Sequence, residues 1–130
     1  MQVIVDANIF LAVILNEPEK QRIIEITKGI ELVSPEVLPY EIGNALSAAY
    51  KKQRIIKEQA IQAYQIFDTI PVHLVDVNVK NALNIACDGN SYAYDAYYLE
   101  LARKNDLPLL TLDNKMKNIA KLFNIKTIEL

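Results

Sequence analysis

Apolar and polar positions along this chain switch between two rhythms, short unbroken apolar runs and stripes of helical period. Val3, Ile4 and Val5 form a continuous β-branched run, the pattern of a strand covered on both faces in a parallel sheet. The spacing then predicts a helix over 8–16, a break at Glu17-Pro18 with Pro18 suited to the first turn of the next helix, and a helix over 19–28 ending at Gly29. Ile30–Val33 reads as a second strand, closed by Ser34-Pro35. From Glu36 to Gln53 the positions Leu38, Ile42, Ala45, Leu46 and Ala49 make one apolar stripe. A further helix covers Lys57–Asp68, with Ile61, Tyr64 and Phe67 on one side.

Pro71 introduces a third strand, Val72–Val75, followed by a helix over 77–87 and the turn Asp88-Gly89-Asn90. Ser91 is suited to cap the next helix, which runs to Lys104. Pro108–Leu112 is a fourth strand, 114–123 a helix, and Ile125–Ile128 a fifth strand. Strands alternating with helices predict an α/β fold, a three-layer α/β/α sandwich around a five-stranded parallel sheet. There is no internal repeat and no linker, so residues 1–130 are expected to form one domain.

Composition narrows the class. A chain of 130 residues, 52% hydrophobic with three Gly and five Pro, is neither disordered nor of low complexity. The lone Cys87 forms no internal disulfide and is expected to be a small buried residue on a helix. The apolar run 9–15 is far short of the roughly 20 residues a membrane span requires. The N-terminus lacks a basic start and is interrupted by Asp6 and Asn8, unlike a secretory signal. A cytoplasmic protein with no membrane partner is the expectation. The net charge of −2 argues against a general nucleic-acid coat, which is usually basic. An enzyme that meets a few phosphates through cations needs no such surface.

The candidate chemistry is acidic. Asp6 and Asp113 each end a strand and precede a helix, where open α/β sheets bind ligands, although an Asp there also serves as a helix cap. Asp95 shares a helix face with Tyr92, Leu99 and Ala102, and a carboxylate in so apolar a slot is costly unless paired, hydrogen-bonded or bound to metal. Glu41 lies at the edge of its helix's apolar stripe, where a solvated glutamate is also ordinary. Asp76 ends a strand too, but the helix behind it makes it a natural cap. His73 falls inside the third strand as a structural residue, and no Cys-His zinc spacing, glycine-rich phosphate loop or serine-histidine-acid set is present.

Four segments in order, Val5-Asp6-Ala7-Asn8, Pro39-Tyr40-Glu41-Ile42, Tyr94-Asp95-Ala96-Tyr97-Tyr98 and Leu109-Leu110-Thr111-Leu112-Asp113, resemble the PIN domain, the small nuclease domain of VapC-type toxins. The resemblance covers essentially the whole chain. It implies a sheet with the first strand central and the fourth beside it, which sets Asp6 and Asp113 at adjacent tips and Asp76 at the far edge. It also implies that Asp6, Glu41, Asp95 and Asp113 are the acidic quartet and that Asn8 and Thr111 are its polar companions. The activity implied is divalent-metal-dependent endoribonuclease action, with Mg²⁺ or Mn²⁺ held by Asp6, Asp95 and Asp113, and by Glu41 directly or through water. Lys115, Lys117 and Lys121 are candidate phosphate contacts, as are Lys51, Lys52 and Arg54. The tyrosines Tyr92, Tyr94, Tyr97 and Tyr98 offer surfaces for base stacking, with packing into the core the plainer expectation.

The implied partners are an RNA substrate, a cognate antitoxin and a second copy of the chain. The helix over 36–53 carries Gly43, Ala45, Ala48 and Ala49 among Tyr40, Leu46 and Tyr50, more apolar surface than one sheet covers. Two other readings of the family remain: a solitary PIN nuclease in RNA processing, or a non-catalytic scaffold binding RNA or protein. A haloacid-dehalogenase phosphatase would want an Asp where Asn8 stands, and a receiver domain an acidic pair opening its first loop.

Overall fold

The computed structural model describes all residues, 1–130. Four strands, β1 (Gln2–Val5), β2 (Glu31–Pro35), β3 (His73–Val75) and β4 (Leu109–Leu110), form one sheet in the order β3-β2-β1-β4. Every pairing is parallel: Val3 stands opposite Leu32, Ile4 opposite Leu109, and Val33 opposite His73. The helices are α1 (Ala7–Ile14), α2 (Lys20–Thr27), α3 (Leu38–Lys51), α4 (Lys57–Asp68), α5 (Val79–Asp88), α6 (Ala93–Asn105) and α7 (Asn114–Leu122).

The period-two geometry of a strand sends alternate residues of β1 into different cores. Val3 and Val5 pack among α1, α2, α3 and α4, whereas Ile4 packs among α5, α6 and α7. Leu110 and Leu109 divide in the same way. The sheet is therefore covered on both faces, which makes the three layers and explains the unbroken apolar run that opens the chain.

Local chemistry fixes the element ends. Asp6, Asn78 and Asp113 cap α1, α5 and α7 with side-chain oxygens, and the Gln59 amide oxygen accepts from the Ile56 N–H at the start of α4. Gly29, with φ +75°, takes the left-handed turn between α2 and β2.

Four expectations are corrected. The fifth strand shrinks to a single bridge, Leu109 to Thr127, because β4 is only two residues long and offers little edge to pair. Tyr92 rather than Ser91 occupies the N-cap of α6, and the buried Ser91 hydroxyl has no hydrogen-bond partner. Pro18 lies in the turn before α2, not in its first helical turn. Cys87 is exposed: the inner positions of α5 are Ala82, Ile85 and Ala86, and the next residue points about 100° away. His73 does lie in β3, exposed on the edge strand. No helix is long and apolar enough to cross a membrane.

Candidate active site

The first and last short strands lie side by side, so the chain carries Asp6 and Thr111 to neighbouring tips about 4.8 Å apart in the pairing direction. Asp6 is 6% exposed. One of its oxygens accepts from the Ala7 N–H at 2.7 Å, and the other accepts from the Thr111 hydroxyl at 2.7 Å. That hydroxyl in turn accepts from the Asn8 amide at 3.2 Å and from the Asp113 N–H at 3.0 Å. A threonine hydroxyl has one proton to give and two lone pairs to receive with, so its capacity is filled and its proton is committed to Asp6. The Asn8 amide oxygen accepts from the Leu112 N–H at 3.1 Å. Asn8 and Thr111 thus hold the β1 and β4 ends in register and aim Asp6.

Asp113 caps α7, accepting from Lys115 and Met116 N–H groups at 2.8 and 3.3 Å. Capping and membership of the cluster coexist, because one carboxylate has more acceptor sites than the cap consumes. On the other side of β1, the buried Ser34 hydroxyl donates to the Val5 carbonyl at 2.6 Å and pins the strand one residue before Asp6.

The helices deliver the remaining acids. Glu41, in the first turn of α3, accepts from the buried Tyr98 hydroxyl at 2.8 Å. Tyr98 follows Asp95 by three residues on α6, so both project from one face toward the same place.

The electrostatics show convergence. Burial first, and then the charges of Asp95 and Asp113, raise the Asp6 carboxyl to about 6, against the lowering effect of its hydrogen bonds. Burial raises Glu41 to about 7, with Asp6 and Asp95 adding repulsion and the Tyr98 bond opposing them. Asp95 is raised by burial and by Asp113, and Lys115 partly offsets this. The Tyr98 hydroxyl is pushed far up by burial and by Glu41 beside it, so it stays a proton donor. The ion pairs of the molecule, Arg22–Glu25, Arg103–Glu100 and Lys117–Glu129, include none of the four acids. The four carboxylates repel one another, and none of them is ion-paired with a cation.

Other acids stand elsewhere. Asp76 faces Glu36 at the β3 and β2 ends, and its hydrogen bond and charge raise the Glu36 carboxyl. Asp76 follows the edge strand β3, and β2 lies between that strand and β1. Among the basic candidates, Lys115 alone is near enough to act on Asp95. Lys117 reaches Glu129 at 3.6 Å, and Lys121 sits in the last turn of α7, the end opposite Asp113. Lys51 and Arg54 border a hollow of about 600 Å³ beyond the C-terminal end of α3, away from the acids. Glu41 borders a smaller hollow of about 190 Å³ with Val37, Tyr40, Asn44 and Tyr94.

Sequence reasoning missed Ser34, and missed the role of Tyr98, which the helical spacing from Asp95 announces. The tyrosines do not share one fate: Tyr98 is in the core, Tyr97 half-buried, and Tyr92 and Tyr94 exposed.

The residues fit a divalent, oxygen-seeking cation in donor type and in uncompensated charge. The side chains are not drawn into a closed set, since no three acidic, His or Cys side chains stand together as ligands. An ion taken up here has to pull the carboxylates inward.

The architecture belongs to one known class, and the chain is a member of the PIN-domain family, whose model matches residues 3–122. Among individual proteins it is similar to Ribonuclease VapC3 of Pyrobaculum aerophilum, 26% identical over 121 residues, covering 89% of this chain and 92% of that one. Its fold matches the crystal structure of PAE2754 from Pyrobaculum aerophilum, with a TM-score of 0.73, 23% identity, and coverage of 93% and 89% of the two chains. It also matches VapBC2 from Rickettsia felis, solved bound to a DNA fragment from their promoter, with a TM-score of 0.70, 17% identity and 98% of each chain covered.

Proposed function

We propose that this protein is a divalent-metal-dependent endoribonuclease, acting as the toxin of a VapBC-type pair. The observation that carries the reading is the gathering of Asp6, Glu41, Asp95 and Asp113 at one end of the sheet, their repulsion unrelieved by any ion pair. Membership of the PIN-domain family and the likeness to Ribonuclease VapC3 support it.

Asp6, Asp95 and Asp113 would hold Mg²⁺ or Mn²⁺, with Glu41 as a direct ligand or through water. When bound, the ion supplies charge neutralisation at the scissile phosphate and an activated water. Thr111 and Asn8 keep Asp6 aimed, so its carboxylate does not rotate away when substrate arrives. Tyr98 occupies Glu41 Oε1 and leaves Oε2 to receive a proton from the attacking water. Lys115 sits where it can meet a substrate phosphate as well as steady Asp95.

The matching of VapBC2, a toxin named together with its partner, supports an antitoxin for this chain. An antitoxin tail with an Arg or Lys reaching the acids would compete with metal and phosphate by charge. A two-fold homodimer through α3 and a cytoplasmic setting belong to the same reading.

The test is cleavage of single-stranded RNA with Mg²⁺ or Mn²⁺, with chelator, and with Asp95→Asn. The expected products carry a 5′-phosphate and a 3′-hydroxyl, chelator and substitution abolish them, and a 2′-deoxy linkage is still cut. A 2′,3′-cyclic phosphate, or cleavage that survives chelation, refutes the mechanism.

A further inference from the structure

Tyr40 and Tyr94 stand 78% and 57% exposed at the rim of the 190 Å³ hollow, on different helices, with Glu41 as part of its wall. Large aromatic rings are expensive to leave in water, and two of them bracketing one small cavity is an arrangement that covers a flat apolar guest. Tyr94 is held in place by an edge-on contact with Tyr97, ring centroids 5.9 Å apart at 88°. Val37 supplies an apolar surface, and the Asn44 side chain makes no hydrogen bond within the protein. Its amide offers one donor and one acceptor side by side, the pairing that reads the edge of a base.

We propose that this hollow receives a single unpaired nucleobase of the RNA strand, stacked against Tyr40 and Tyr94 and read by Asn44, beside the phosphate presented to the acids. The inference rests on the ribonuclease reading above and deepens it by naming residues that set base preference at the cut. Only an unpaired base can enter, because a duplex keeps its bases stacked and turned inward. The shared Glu41 wall joins the two sites, so a base seated here brings its own phosphate toward the carboxylates. A protein side chain lodged in the hollow would instead cover Glu41. Tyr40, Tyr94 and Asn44 are specificity and positioning residues, and none of them touches the reacting atoms.

The test uses the full chain with Asp6→Asn to prevent turnover, and short single-stranded RNAs carrying 2-aminopurine at one position at a time. One position is expected to show quenched fluorescence. Tyr40→Ala and Tyr94→Ala should each remove that quenching and weaken binding about 5- to 100-fold, whereas Tyr→Phe at either position keeps both. In the active protein, an abasic site at the same position should raise KM more than it lowers kcat. The abasic and Ala penalties should not add, because both delete one stack. If the wild-type protein cuts RNA but no position is quenched, or the penalties add in full, the base pocket is overturned while the nuclease stands. RNA affinity unchanged in both Ala variants together with altered sedimentation makes the hollow a protein contact and overturns it as well. No binding and no cleavage of any RNA removes the nuclease reading, and this one with it.

Discussion

Replacing Asp6 with Asn should stabilise the metal-free protein while abolishing its activity. The substitution keeps shape but only one acceptor contact, since the single Asn oxygen faces either the Thr111 hydroxyl or the Ala7 N–H, and the lost bond costs about 0.5–1.5 kcal/mol, less than the charge effect that follows. It removes a charge from a site where burial and neighbouring carboxylates raise the Asp6 carboxyl from 3.8 to about 6. A raised folded-state value means that the folded protein binds more protons than the unfolded chain between these two values. Stability from this group is therefore fully present below about pH 3.8 and is lost as pH rises through about 6. At roughly 1.4 kcal/mol per unit, the loss is about 3 kcal/mol at neutral pH, or roughly 10 °C in Tm for a domain of this size. Urea melts in chelator from pH 3.5 to 8 measure it. Wild type and Asp6→Asn should coincide at the acid end and separate through the window, with the variant the more stable at pH 8. Adding Mn²⁺ should close the gap by stabilising wild type alone. A variant less stable than metal-free wild type at pH 8, or a constant offset at all pH values, would refute the idea that Asp6 bears unrelieved charge.

Tyr98→Phe deletes the hydroxyl that donates to Glu41 and opposes its rise to about 7, so the acid limb of kcat/KM should move to higher pH by about one unit, as charge-assisted bonds of this kind contribute roughly 1.5–3 kcal/mol. A pH profile that keeps its position would show that Glu41 is not the group being read. Gly89→Ala would place a Cβ 2.9 Å from Ile119 Cγ2 and 3.0 Å from the Ile85 carbonyl oxygen. Overpacking there should cost about 1–3 kcal/mol in urea melts with an unchanged slope, and no loss would mean that α7 yields more easily than its buried face suggests.

The parts of the fold that local chemistry dictates were open to reading from the sequence. Val3–Val5 has one sensible fate, and the helix Lys57–Asp68 begins and ends where its stripe does. The misreadings arise where a long-range partner decides. Ile125–Ile128 has the composition of a strand, yet a strand needs an edge, and β4 supplies two residues of one. Whether Ser91 or Tyr92 caps α6 depends on backbone angles that the serine's identity does not set. Glu100, 1% exposed and paired with Arg103 at 2.9 Å, escaped notice because a Glu three residues before an Arg on a helix looks like surface. The four acids were picked out by their resemblance to the family's motifs, and their mutual repulsion in the structure agrees with a shared neighbourhood. The Thr111 hydroxyl as the joint between them was not, since sequence cannot say which lone pair a hydroxyl spends on whom.

That joint ties residues separated by 103 and 105 positions. During synthesis the central strand emerges first and waits, with its β4 neighbour still unmade, until four-fifths of the chain has followed. Until then Asp6 has neither Thr111 to aim it nor Asp113 beside it. On the ribonuclease reading proposed above, the protein would cut RNA while being made by a machine built of RNA, and this topology keeps the nascent chain unarmed until its last helix has left the ribosome.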